Sequence, residues 1–75
     1  MRLHEVTPGQ TVEIKGYHAG CSMYRAKLLA LGLTRGTRIR LVNVAPLGDP
    51  VELEVRGFSL SLRKDEAAVL DVVKV

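Results

Sequence analysis

Residues 51–62 read VELEVRGFSLSL, and this stretch decides the fold. Before the glycine, valine and leucine alternate with charged residues, as they do in a strand with one buried and one solvated face. After the glycine, leucine alternates with serine. Because Gly57 marks a tight turn between two such strands, the stretch predicts an antiparallel hairpin. Its predicted inward-facing residues are Val51, Leu53, Val55, Leu60 and Leu62.

Three more strands are predicted around this hairpin. Residues 10–17 alternate polar and apolar side chains, residues 37–45 have the composition of a strand, and residues 69–75 close the chain as a last strand. Residues 46–50 (PLGDP) have the proline and glycine content of a hairpin connection. These strands are short and closely spaced, which is typical of a small barrel.

One of these strands has an irregular pattern. Ile39 and Leu41 share one face, whereas Val42 and Val44 share the other. Either the strand is buried on both sides, or a bulge changes its phase.

One substantial helix is predicted between the first two strands. Ser22 can cap its start, it runs to about Leu31, and Gly32 is placed for the left-handed conformation that ends helices. Residues 64–67 allow only one further helical turn. We therefore expect a mainly β fold, a small SH3-like barrel of about five antiparallel strands with one inserted α-helix. A chain of 75 residues is expected to form a single domain, residues 1–75.

Composition excludes several classes of protein. The single cysteine, Cys21, rules out an internal disulfide framework. No apolar run approaches the roughly 20 residues of a membrane span, and the first residues lack the apolar core of a secretory signal. We expect a cytoplasmic protein that reaches a membrane only through a partner. Its net charge of +3 suits an anionic partner without requiring one.

The predicted helix carries more apolar surface than one core needs. At 100° per residue its apolar side chains fall on two opposite stripes, with Arg25 and Lys27 on the flanks. Burial by loops, self-association or a docked partner would each account for the second stripe. Single exposed leucines are common on protein surfaces, so Leu29 is also explained without any of the three. The stripes are Tyr24, Leu28 and Leu31 on one side and Ala26, Leu29 and Ala30 on the other. The predicted partner-binding residues are Arg25, Lys27, Leu28 and Leu29.

Catalytic and metal-binding patterns are weak in this sequence. His18 and Cys21 have a spacing that places two ligands on one metal, but they make only half a site. Cys21 also lacks the orienting third group that a nucleophile needs. We predict no catalytic residue, no metal site and no cofactor, and hence no enzyme. A direct Fe²⁺ carrier using His18 and Cys21 is kept as an alternative.

A basic cluster gives the other alternative. Arg35, Arg38 and Arg40 could follow an anionic surface such as nucleic acid. Glu52 and Glu54 on the next strand would form ion pairs with this cluster, and no aromatic residue interleaves with it to stack on bases. Nucleic-acid binding is therefore an alternative that we do not expect.

Three segments carry a resemblance to a known family. They are residues 27–33 (KLLALGL), 44–51 (VAPLGDPV) and 59–67 (SLSLRKDEA), and the central one is the most specific. In order and separation they resemble the FeoA family, small cytosolic proteins of the bacterial ferrous-iron uptake system. That family has an SH3-like fold, similar to the C-terminal domain of metal-dependent repressors of the diphtheria-toxin-repressor type. The resemblance implies an accessory role for FeoB, the membrane Fe²⁺ transporter with a cytosolic G-protein domain.

The motif residues first have structural roles. Gly32 ends the helix, Pro46 and Pro50 stiffen the hairpin connection, and Gly48 supplies a conformation that other residues resist. Asp49 is expected to accept backbone hydrogen bonds within its turn. The resulting hypothesis is a protein-interaction module that docks on FeoB and shifts it toward a transport-competent state. Self-association, the FeoB surface contacted, and a role in nucleotide hydrolysis, gating or assembly stay open.

Overall fold

The fold is a single antiparallel sheet with a helix inserted after its first strand. The computed structural model describes residues 2–18 and 22–75, and in this part the five strands lie in the order β4-β3-β2-β1-β5. This confirms the predicted mainly β architecture with five antiparallel strands, and the predicted single turn at residues 64–67. The elements are a 3₁₀ turn at Leu3–Glu5, β1 at Thr11–Tyr17, α1 at Ser22–Ala30, β2 at Arg38–Val44, β3 at Val51–Val55, β4 at Phe58–Leu62, α2 at Lys64–Ala67 and β5 at Leu70–Lys74.

The predicted hairpin joins β3 to β4. Leu53 lies opposite Leu60, and Val55 lies opposite Phe58. Between the strands Arg56 and Gly57 both have positive φ, +50° and +82°. Two central residues with positive φ form a type I′ turn, whose twist matches that of the strands it joins. Arginine is an unusual residue for this turn, since asparagine or glycine normally fills the position.

A bulge explains the irregular apolar pattern of β2. The pairing with β3 shifts register after Leu41, which lies opposite Leu53, so that Val44 lies opposite Val51. Leu53 and Val51 share one face of β3 because they are two residues apart. The shift therefore puts Val44 on the same face as the buried Val51, although Val44 lies near the end of the strand and is itself 36% exposed. Val42 takes the position of the extra residue and is partly exposed.

The core is one apolar cluster enclosed by the sheet, α1 and the first turn. Helix α1 contributes Leu28, and the chain beyond it contributes Leu33; neither side chain is exposed to solvent. Leu31, which the predicted stripe pairs with Leu28, is exposed instead, because α1 ends at Ala30 and the chain turns away at Gly32 with φ +85°. The cluster consists of Leu3, Val6, Val12, Ile14, Leu28, Leu33, Ile39, Leu41, Val51, Leu53, Val55, Leu62, Ala67, Leu70 and Val72.

The β2–β3 connection has the predicted turn chemistry with one difference. Gly48 has φ +78°, the conformation expected of it, and the Asp49–Pro50 peptide bond is cis. The Asp49 carboxylate does not bond within its own turn as predicted. Its Oδ1 accepts the backbone N–H of Lys64 at 3.3 Å, so the connection is tied to the start of α2.

Candidate partner-binding surface

The exposed side of α1 faces the end of β1 across a shallow depression. Arg25 and Leu29 are four residues apart, so they lie on the same side of the helix, and both are exposed. The depression has a volume of about 300 Å³ and is completed by Gly16, Tyr17 and Arg35. The Arg35 guanidinium lies 3.6 Å from where a Cβ on Gly16 would stand, which is ordinary van der Waals contact, so Arg35 packs over the backbone of Gly16. We call Tyr17, Arg25, Leu29 and Arg35 the α1 surface.

Tyr17 forms the floor of the α1 surface. A bulge between Ile14 and Gly16 shifts the register of β1 against β5, and this sets the position of the Tyr17 side chain. Its hydroxyl donates a hydrogen bond to the carbonyl of Leu33. The Arg25 guanidinium carbon lies 5.6 Å from the ring centroid, a cation–π distance. The ring is thus held by core packing at one end and covered by a cation on its face.

The surroundings of Tyr17 keep its hydroxyl protonated, so that it can donate a hydrogen bond. Burial raises the pKa of the Tyr17 phenol, and the nearby charge of Arg25 opposes that rise. Because the phenol stays protonated at neutral pH, it can donate to the Leu33 carbonyl throughout the physiological range.

The four predicted partner-binding residues divide into two pairs. Arg25 and Leu29 are exposed on the α1 surface, with Leu29 44% exposed. Leu28 is fully buried in the core and has no surface to offer a partner. Lys27 is half-exposed, but its ammonium donates to Glu66 Oε2 at 2.5 Å.

The Lys27–Glu66 contact is a structural link between α1 and α2. Glu66 is buried, and its other carboxylate oxygen accepts the backbone N–H of Arg63 at 2.9 Å. The hydrogen bond from Lys27, followed by that from Arg63, lowers the pKa of the Glu66 carboxyl. Burial acts in the opposite direction but does not reverse this result. Lys27 therefore serves the fold first.

Two residues of the α1 surface were missed by the sequence reasoning. The sequence pattern places Tyr17 only in a strand and Arg35 only in the basic cluster, whereas both line this depression. The pair Gly16–Tyr17 at the end of a predicted strand was the available signal, since a glycine inside a strand often marks a bulge or a close approach.

The predicted basic cluster does not form a continuous positive strip. Arg40 Nη2 lies 3.1 Å from Glu54 Oε1, so the predicted cross-strand ion pairing is confirmed there. Arg38 Nε lies 3.7 Å from Glu13 Oε1. Arg35 does not lie on the strand but in the loop before β2.

Of the predicted metal-binding pair, His18 lies within the described residues and Cys21 does not. His18 Nε2 lies 3.7 Å from Asp71 Oδ1. Among the side chains that are described, no three His, Cys, Asp or Glu groups come together in a way that could hold a metal ion. The pair of His18 and Cys21 stays a prediction. No helix in the described ranges is long and apolar enough to cross a membrane.

Comparison with known proteins identifies the family. The FeoA domain model matches residues 1–74. A FeoA-like protein from Clostridium acetobutylicum, solved by NMR, is 40% identical, with a TM-score of 0.89 over 100% of this chain and 86% of that one. A manganese-dependent transcriptional repressor shares the fold alone, at 13% identity and a TM-score of 0.90 over 100% of this chain and 41% of that one.

One curated relative is a much longer protein that contains a segment similar to this chain. The Fe(2+) transport protein A/Fe(2+) transporter FeoB fusion protein of Porphyromonas gingivalis is 35% identical over 72 residues. These residues are 96% of this chain and 8% of the fusion protein. Because the FeoA domain model matches residues 1–74, this chain belongs to the FeoA domain family.

Proposed function

We propose that this protein is an accessory component of ferrous-iron uptake that docks on the cytosolic side of a FeoB transporter. The observation that carries the proposal is the P. gingivalis fusion, in which a stretch similar to this chain is joined to FeoB. Joining two modules raises the effective concentration of one at the other, which is useful when they act together.

We propose the α1 surface as the docking site. Leu29 supplies an exposed apolar centre, and Arg25 and Arg35 flank it with positive charge. Tyrosine and arginine are enriched among residues that dominate binding energy at interfaces, where a small apolar centre is surrounded by polar groups. A complementary patch on FeoB would present an apolar recess with carboxylates at its rim.

Docking would act on transport by differential binding. A partner changes a conformational equilibrium only by as much as it prefers one state over the other. We propose that the α1 surface binds the transport-competent state of FeoB more tightly. The flanking arginines would mainly raise the association rate, so binding should weaken as salt screens them.

The experiment is an NMR titration of the isotope-labelled protein with full-length FeoB in lipid nanodiscs. We expect line broadening concentrated on residues 22–33 and on Tyr17. Leu29→Ala should weaken binding at least tenfold, because it truncates the apolar centre. The matched control is Leu47→Ala, an 87% exposed leucine in the β2–β3 connection, which should change affinity less than twofold.

Each outcome has a distinct meaning. Binding that depends on Leu47 and not on Leu29 would keep the partner and reject the α1 surface. No broadening at near-millimolar protein would reject direct docking on FeoB.

A further inference from the structure

A second depression on the molecule is lined by arginine and threonine. It lies where the loop before β2 meets the β3–β4 turn, and its volume is about 520 Å³. None of its lining residues carries a carboxylate. The depression is open to solvent, so a ligand there would be held by surface side chains and not enclosed. We call it the arginine pocket; its lining residues are Thr34, Arg35, Gly36, Thr37, Arg38 and Arg56.

The arginine pocket holds positive charge that the described residues do not neutralise. Arg38 has a partner, with its Nε 3.7 Å from a Glu13 oxygen. Within residues 2–18 and 22–75, neither Arg35 nor Arg56 forms an ion pair with a carboxylate. Two guanidiniums with unused charge and one loosely paired guanidinium therefore border the same cavity.

Hydroxyl groups hold part of this arrangement in place. Thr37 is buried, and its Oγ1 lies 3.1 Å from Thr34 Oγ1 and 3.5 Å from Arg56 Nη2. An arginine has five N–H donors, so this contact leaves most of the Arg56 donors available. Thr37 Oγ1 also donates to the Gly32 carbonyl at 3.5 Å, so the Thr34 hydroxyl donates its one proton to Thr37 and the donors left to the cavity are those of the guanidiniums.

The backbone at Arg56 is a second, independent indication. Arg56 is the one non-glycine residue with positive φ in the described part of the chain. Left-handed backbone is unfavourable for a residue with a long side chain, and asparagine or glycine would fit this type I′ turn better. Residues held in such conformations are often required for what their side chains do.

Arg56 also has a structural contact that must be separated from binding. Its Nη1 lies 3.0 Å from where a Cβ on Gly32 would stand, next to the end of α1. The negative end of the helix dipole attracts a cation there. That attraction explains one guanidinium and leaves the gathering of Arg35 and Arg38 around the same cavity unexplained.

We propose that the arginine pocket binds a phosphate-class oxyanion, and that its ligand is a diphosphate group, free or as part of a nucleotide. The planar guanidinium donates two parallel hydrogen bonds to phosphate oxygens, and several around one cavity suit a group with more than one phosphate. A long nucleic-acid strand fits less well, because Arg40 beyond the pocket is already paired with Glu54.

The experiment is an NMR titration of the labelled protein with sodium pyrophosphate at constant low ionic strength. We expect saturable shifts at the amides of Thr34, Gly36, Thr37 and Gly57. A nucleoside diphosphate should produce the same shifts if the ligand is a nucleotide, and only pyrophosphate should if it is the free anion. Orthophosphate should bind at least tenfold more weakly than pyrophosphate.

Arg56→Asn is the decisive variant. Asparagine tolerates the left-handed turn, so the fold should persist while the guanidinium is lost. We expect at least tenfold weaker pyrophosphate binding. Arg38→Gln leaves the turn intact and should weaken pyrophosphate binding several-fold. It provides the test if Arg56→Asn does not fold. The matched control is Lys64→Gln, which removes one positive charge from a separate apolar cavity and should change affinity less than twofold.

Three outcomes would overturn the proposal. They are the absence of saturable shifts with pyrophosphate, equal weakening by Arg56→Asn and Lys64→Gln, and shifts along β2 with a single-stranded oligonucleotide but none with pyrophosphate. The proposal does not rest on docking to FeoB: Arg35 borders both surfaces, but Arg56 borders the arginine pocket and lies outside the α1 surface. Arg56→Asn should leave FeoB binding unchanged.

Discussion

Replacing Lys27 by methionine tests whether this lysine belongs to the fold. Methionine keeps the length of the apolar stem and removes the ammonium that donates to Glu66 Oε2 at 2.5 Å. The Glu66 side chain is buried, with only 4% of the residue exposed. Its other oxygen keeps the 2.9 Å bond from the Arg63 N–H. The variant therefore leaves a buried carboxylate with one of its two oxygens unpaired.

The expected cost follows from this geometry. Removing one partner of a fully buried ion pair costs about 3–5 kcal/mol. Here the Lys27 side chain is 52% exposed and one carboxylate bond survives, so water and Arg63 offset part of the loss. We expect Lys27→Met to lower the free energy of unfolding by about 1.5–3 kcal/mol at pH 7, the range for a hydrogen bond to a charged group. Urea denaturation measures it.

The same contact predicts a pH dependence. The pKa of Glu66 is lowered in the folded state, first by Lys27 and then by the Arg63 N–H. The resulting stabilisation is complete above the unfolded-state value of about 4.3 and is lost as pH falls through the lower folded value. The difference between wild type and Lys27→Met should be constant from pH 6 to 8 and should shrink below about pH 4.

Two results would refute this reasoning. One is a stability difference below about 0.5 kcal/mol at pH 7, the size of an ordinary surface substitution. The other is a difference that persists unchanged at pH 3. A double-mutant cycle with Glu66→Gln provides the control, because a genuine contact should give a coupling energy of about 0.5–3 kcal/mol.

Three further predictions concern stability measured by urea or thermal unfolding. Leu28→Ala should cost about 2–5 kcal/mol, whereas Leu29→Ala should cost less than about 0.5 kcal/mol, since the first side chain is fully buried and the second is exposed. Gly32→Ala should cost about 1–2 kcal/mol, because its φ of +85° strains an L-residue and the added Cβ would stand 3.0 Å from Arg56 Nη1. Tyr17→Phe should cost about 1 kcal/mol through its lost hydrogen bond.

Contrary results are equally specific. Similar costs for Leu28→Ala and Leu29→Ala would mean that the helix is rotated about its axis. A neutral Gly32→Ala would mean that the helix ends elsewhere, and a neutral Tyr17→Phe would mean that the phenol has no buried partner.

Local chemistry explains what the sequence could predict. The alternation in residues 51–62 fixes which side chains face inward, and the glycine at 57 fixes where the chain reverses. Gly32 marks the end of α1 because few other residues adopt the backbone conformation required there. Each of these features depends on neighbours a few residues apart.

The missed parts of the site depend on contacts between distant residues. Lys27 and Glu66 are 39 residues apart, and Tyr17 and Leu33 are 16 apart, so no local pattern pairs them. The two stripes of α1 look alike in sequence, and only packing against the sheet shows that Leu28 is the buried side. Similarly, the gathering of Arg56 with Arg35 depends on how the hairpin meets the loop before β2.

Iron flux through purified FeoB tests the central claim most directly. FeoB would be reconstituted in vesicles, and Fe²⁺ uptake would be measured with and without this protein under anaerobic conditions. The proposal predicts that the wild-type protein raises the uptake rate at least twofold, that Leu29→Ala loses most of this effect, and that Leu47→Ala retains it. An uptake rate that is indifferent to saturating wild-type protein would contradict the accessory role.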